Sequence, residues 1–175
     1  MVKLRKGKSY RKVENRAYTR ISKYKKKSYI STRPQLKITK YDTGATDKKF
    51  PFEVSLISKS DLQLRHQALE SARLTCNRTL EKVAGTGGYH LKLVLFPHHM
   101  LRENPTATGA GADRMSTGMK MSFGKIIGAA ARVREGQKVF TAFVNKPHLD
   151  LAKLAMKKAA KKLPNSYGVL VEEKK

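Results

Sequence analysis

The chain has 175 residues, and its 38 Lys and Arg against 13 Asp and Glu give a formal net charge of +25. That length supports one domain with a real core, while a charge this large makes a free protein repel itself and implies a polyanionic partner, nucleic acid or an anionic membrane. No apolar run is long enough to span a bilayer, no apolar stretch at the start resembles an export signal, and the single Cys76 excludes an intramolecular disulfide and suits a reducing cytosol.

Residues 1–33 read as a basic arm whose only acid is Glu14. Apolar residues are too sparse there to bury a face, so the arm is expected to extend over its partner. Lys3, Arg5, Lys6, Lys8, Arg11, Arg16, Arg20, Lys25, Lys26, Lys27 and Arg33 are its candidate phosphate contacts. Tyr10, Tyr18, Tyr24 and Tyr29 interrupt them. Tyrosine stacks on bases or sugars and hydrogen-bonds through its hydroxyl. A solvated basic tail is the plainer alternative, but the interleaved tyrosines favour contact with RNA or DNA.

A single globular domain is expected over 34–171, ahead of a short charged tail at 172–175. Leu36 and Ile38 alternate with Lys37 and Thr39 as a strand with one wet face, and Asp42-Thr43-Gly44 is a turn signal. Phe52, Val54 and Leu56 mark a second strand. Ser60 and Gln63 form a capping box, with Asp61 in the first turn of a helix. The apolar stripe of that helix is Leu64, Ala68, Leu69, Ala72, Cys76, Leu80 and Val83, and Gly85 ends it. Cys76, inside the stripe, is expected as a small buried residue. Tyr89 to Phe96 is a third strand, with Leu91, Leu93 and Leu95 on one side and Lys92 on the other, ended by Pro97.

A loop from Arg102 to Lys125 follows. Loops this long inside a compact domain are usually functional or disordered. Gly109, Gly111 and Gly118 let a backbone come close to a polyanion. Arg102, Arg114, Lys120 and Lys125 supply charge, while Met115, Met119, Met121 and Phe123 supply apolar contact. Asp113 is expected to pair with Arg114 and order the loop. Ile126 to Val133 and Val139 to Val144 are two further strands, joined by a turn at 134–137. Asn145 or Lys146 caps a last helix with Pro147 in its first turn. Its stripe is Leu149, Ala152, Met156, Ala159 and Leu163, and Lys157 and Lys161 are among the lysines lining the rest. Gly168 to Val171 suit a closing edge strand. The order predicts an α+β two-layer sandwich, two helices on a mainly antiparallel sheet.

Catalytic and cofactor chemistry finds little support. Gly109 to Arg114, GAGADR, lacks the third glycine and the distant acid of a dinucleotide fingerprint. No Cys or His lies at a metal-binding spacing, and no Ser or Cys carries a nucleophile motif. His98 and His99 are read as surface or RNA-contacting groups, and His66 as facing solvent. No metal or cofactor is expected. The last helix lacks the Trp or Phe anchors of a membrane-surface helix and is read as core packing with an RNA-facing lysine side.

GAGADRMSTGMKMSFGK, from Gly109 to Lys125, resembles the hallmark loop of the universal large-subunit ribosomal protein family called L-sixteen in bacteria and L-ten-e in archaea and eukaryotes. The resemblance continues through RPQLKITKYDTG, LQLRHQALESARLTCNRTLEK, GGYHLKLVLFPHHMLREN and GKIIGAAARVREGQKVFTAFV, so it covers nearly the whole chain. The short segment after the last helix resembles the archaeal branch. The resemblance implies a hammerhead-like sandwich and a place in the cytoplasmic large subunit, among 23S rRNA helices and neighbouring ribosomal proteins, near the central protuberance and 5S rRNA. It also implies a loop reaching toward tRNA and the peptidyl-transferase centre, in a non-enzymatic component rather than an isolated homo-oligomer. A general nucleic-acid-binding or DNA-compacting protein is the alternative from another class; it accounts for the arm but leaves the patterned loop without a purpose.

Overall fold

The structure, a computed structural model, describes residues 6–13, 16–19, 24, 26, 34–104, 109–111 and 124–173. A 3-10 turn at Gly7–Tyr10 precedes strands β1 (Asp42–Gly44), β2 (Phe52–Ser58) and β3 (Leu62–Arg65). Helix α1 (His66–Ala84) leads to β4 (Tyr89–Leu93), β5 (His99–Glu103), β6 (Lys125–Val133) and β7 (Lys138–Val144). A second 3-10 turn at Lys146–His148 opens α2 (Leu149–Ala160), and β8 (Tyr167–Glu173) closes the fold. The fold is α+β, as the element order predicts, and every strand pairing among the described residues is antiparallel.

The strands form two sheets rather than one. The larger has the order β1-β4-β7-β2-β8 and the smaller β3-β6-β5. Both helices pack against each other and onto the large sheet, and α1 also touches β3 and β6. Val54, Leu56, Leu91, Phe140, Ala142 and Val144 from the large sheet meet Leu69, Ala72, Cys76, Leu80, Ala152 and Met156 from the helices, all fully buried. Leu62, Leu64, Ala131 and Val133 of the small sheet join the same core. Burial pushes the Cys76 thiol up to about 12, so it packs as a small neutral group.

The structure departs from the sequence pattern at four places. Residues 36–40 form no strand; Ile38 is buried in the core, and the edge strand sits at Asp42–Gly44, where the sequence pattern signals a turn. A Cβ on Gly44, at φ +95°, would lie 2.3 Å from the Tyr89 carbonyl oxygen, so glycine is what lets this edge close on β4. Second, the Ser60–Gln63 box caps nothing. Leu62–Arg65 pairs with β6, the helix begins at His66, and Asp61 Oδ1 accepts from the Glu135 N–H at 2.8 Å. Leu62, Gln63 and Leu64 are all buried, and burial beside β6 outweighs a local cap worth about 1 kcal/mol.

Third, β5 occupies His99–Glu103, the approach to the long loop. Fourth, β6 and β7 share a turn with Gly136 at φ 76° but pair in different sheets. The turn bonds to β2 instead: Gly136 N–H donates to Ser58 O at 2.9 Å and Ser58 N–H to Gln137 O at 3.1 Å. Gly85, Pro147, the α2 stripe and the closing strand fall where the sequence pattern puts them.

A buried charge cluster ties α1 to the β1 edge. Arg73 grips Glu70 as a fork, Nη2 to Oε1 at 2.6 Å and Nε to Oε2 at 2.9 Å. The same guanidinium donates to Thr39 Oγ1 and Thr43 Oγ1, each at 3.2 Å. The hydrogen bond to Glu70 holds the Arg73 pKa above its usual value.

Candidate nucleic-acid interface

The long loop is rooted on two paired strands. Glu103 of β5 stands opposite Lys125 of β6, with a register irregularity between Leu101 and Arg102. Gly124, at φ 68°, approaches so closely that a Cβ there would lie 2.8 Å from the Glu103 carbonyl. The small sheet therefore supplies a paired two-strand base for the loop. Gly109 and Gly111 have φ 127° and 81°, with open space around both. They need glycine for backbone conformation, and none of the described residues crowds them. Asp113, Arg114, Met115, Gly118 and Lys120, like Met119, Met121 and Phe123, lie outside the described residues.

The described parts of the arm dock onto both edges of the small sheet. At the β3 edge, the Gln63 N–H donates to Arg11 O at 3.0 Å, and the Arg65 guanidinium lies 5.2 Å from the centre of the Tyr10 ring. At the β5 edge, the Met100 N–H donates to Tyr18 O at 3.1 Å, and the Tyr18 N–H donates to His99 Nδ1 at 2.8 Å. Arg102 caps this clasp, 4.2 Å from the Tyr18 ring centre, within cation–π range. Docking satisfies edge strands that would otherwise invite pairing by another chain. Tyr10 and Tyr18 thus face protein cations, whereas Tyr24 is 60% exposed. Lys6, Lys8, Arg11, Arg16 and Lys26 are exposed. Lys3, Arg5, Arg20, Lys25, Lys27 and Arg33 lie outside the described residues.

Two histidines expected at the surface belong to the frame. His66 is 3% exposed and its Nδ1 accepts from the Lys37 N–H at 2.9 Å. Burial first, then the charges of Lys37 and Arg65, lower its pKa. Burial, then Arg132 and Arg102, push His99 from 6.5 down to about 4. Nδ1 accepts from Tyr18 only while unprotonated. Because the folded value lies below the unfolded one, the clasp contributes fully above pH 6.5 and is lost as pH falls through about 4. An NMR titration should show the His99 ring changing with a midpoint near 4, together with the Tyr18 amide. A midpoint near 6.5 would mean that the ring is not buried beside Arg132 and Arg102. Sequence pattern misses both histidines because their partners are backbone amides 29 and 81 residues away.

Other cations lie on the large-sheet layer. Lys157, Lys158, Lys161 and Lys162 are exposed on or just after α2, while Lys153 pairs with Asp150 at 3.1 Å. Lys92 projects from the sheet face opposite the helices, since its neighbours Leu91 and Leu93 point into the core. Lys48 and Lys49, not singled out by the sequence pattern, line a groove on that same face with Lys92, His90 and Phe143. Their signal is the pair of lysines before Phe50 and Pro51. Among the described residues, no helix is long and apolar enough to cross a membrane, and no three His, Cys, Asp or Glu side chains gather as a metal site.

The described residues form an antiparallel α+β body with exposed cations on both layers, a docked basic arm and two paired strands at the root of the long loop. The family model described as "Ribosomal protein L16p/L10e" matches residues 13–170, and the chain belongs to that ribosomal protein family. Relatives named "Large ribosomal subunit protein uL16" include one from Methanospirillum hungatei, 45% identical over 94% of each chain. Those from Methanoculleus marisnigri and Methanocella arvoryzae are 43% and 44% identical, each over 95% of this chain and 94% of their own. These relatives place the chain on the archaeal side of the family.

Proposed function

We propose that this protein is a structural constituent of the cytoplasmic large ribosomal subunit. It binds 23S rRNA near 5S rRNA and the central protuberance, beside neighbouring ribosomal proteins. The observation that carries this reading is the family match across residues 13–170 in a chain of net charge +25. Basic groups on the arm, on α2 and on the open sheet face suit a body wedged among RNA helices. Recognition is mainly of RNA shape, because a folded junction fixes its phosphates in three dimensions. The protein acts by binding, and its loop, rooted on the paired strands at Glu103 and Lys125, reaches toward tRNA and the peptidyl-transferase centre.

Ultraviolet crosslinking in growing cells, followed by sequencing of attached RNA, tests this. Sharp sites in large-subunit rRNA, with some in tRNA, are expected. Diffuse sites in proportion to RNA abundance, or mostly DNA, would replace it with a general nucleic-acid-binding protein. Arg114→Ala lowers the loop's charge and should leave thermal unfolding of the domain unchanged while impairing tRNA handling or subunit maturation. Normal polysome and subunit profiles in that variant, with unaltered tRNA binding, would refute a loop role for Arg114.

A further inference from the structure

The open face of the large sheet carries a groove of about 670 Å³, within the range of clefts that hold small ligands. On its surface the Phe143 and His90 rings stack, with centroids 5.3 Å apart and planes 23° from parallel. The two residues stand opposite each other across β4 and β7, which puts both rings on one face. His90 Nε2 lies 2.9 Å from Asp42 Oδ1, and that contact holds the imidazole plane. Lys48, Lys49 and Lys92 form an exposed rim, and Pro51 borders it. Lys48 Nζ meets the carbonyl of Gly87 at 3.3 Å, a neutral acceptor that leaves its charge unbalanced. Among the described residues that line the groove there is no carboxylate.

A pair of stacked rings beside a rim of three lysines, with Asp42 held by His90, matches one chemistry well. Unpaired nucleotides offer a base face for stacking and phosphates for lysines. A duplex hides its base faces. An acidic peptide would use the rim and leave the rings unused. We propose that this groove holds an unpaired nucleotide of large-subunit rRNA. Its base packs against the His90–Phe143 pair, and its flanking phosphates rest on Lys48, Lys49 and Lys92. The proposal rests on the ribosomal reading and adds a specific contact to it. Stacking tolerates any base, so the groove selects an unpaired strand rather than a sequence.

The test uses intact large subunits containing the full chain. They are irradiated with ultraviolet light, and peptide–nucleotide adducts are mapped by mass spectrometry. An adduct at His90 or Phe143 is expected. Its yield should fall about tenfold in Lys48→Ala/Lys49→Ala subunits, while adducts on the arm persist. Both lysines are exposed, so the fold is not at stake. Adducts on the arm and α2 with none at His90 or Phe143 would overturn the groove and leave the ribosomal reading standing. A crosslink from these rings to a protein peptide, or a yield indifferent to the two lysines, would also overturn it. Absence of rRNA adducts along the whole chain would sink both.

Discussion

Arg73→Ala is expected to destabilise the free protein by about 3–5 kcal/mol. The fork between Arg73 and Glu70 is nearly dry, with side chains 6% and 12% exposed. Removing the guanidinium leaves the Glu70 carboxylate buried without its cation and takes a donor from Thr39 and Thr43. In a domain whose total stability is of order 5–15 kcal/mol, that is a large fraction. A fall in Tm of roughly 10 °C follows for a chain of this size. The damage should spread beyond α1, because Thr43 lies in β1 beside Asp42, which holds His90. The double variant Glu70→Gln/Arg73→Met should recover much of the loss, since exchanging a buried pair for neutral groups is often close to neutral. Thermal and urea unfolding of the two variants decides it. A loss below about 1 kcal/mol in Arg73→Ala would mean that water reaches the pair.

Replacing Lys157, Lys158, Lys161 and Lys162 together by Gln should weaken binding to 23S rRNA and flatten its salt dependence. All four are exposed. Each phosphate neutralised releases condensed counterions and adds about 0.9 to the slope of log affinity against log salt on a duplex. Four lost contacts make that slope shallower by about 3 to 4. Between 50 and 200 mM salt, the wild-type chain should therefore lose about a hundredfold more affinity than the variant. Titrations at several salt concentrations measure it. An unchanged slope would show that this side of α2 faces solvent, and the rRNA surface would then have to be sought on the arm and the open sheet face.

Patterns that repeat within a few residues are legible in the sequence. The alternation of Leu91, Leu93 and Leu95 marks the inner side of β4 and its continuation, and all three are buried. Cys76, Leu80 and the stop at Gly85 are readable from helical spacing, as is the stripe of Ala152, Met156 and Ala159 in α2. Competing local signals are less informative. Ser60 and Gln63 read as a cap, although Leu62-Gln63-Leu64-Arg65 also alternates with the period of a strand. Pairing with β6 resolves that ambiguity through burial, and no window of a few residues contains it. Composition points to Lys92, Lys157 and Lys161, and all three lie exposed, whereas Arg102 stands over Tyr18 in a contact that spacing does not predict.

The residues by themselves determined the charge, the α+β class, the α2 stripe, the middle of the α1 stripe and the loop motif that carries the family resemblance, because each is a local or compositional property, whereas Leu64 lies in β3 and Val83 is exposed. Tertiary structure alone decided that the strands divide into two sheets, that the arm clasps both edges of the smaller one, and that His66 and His99 accept backbone hydrogen bonds. It also brought Lys48 and Lys49 beside the His90–Phe143 pair. These features depend on partners far apart in the chain, whose meeting is set by which long-range pairing buries the most surface while leaving the fewest backbone groups unsatisfied.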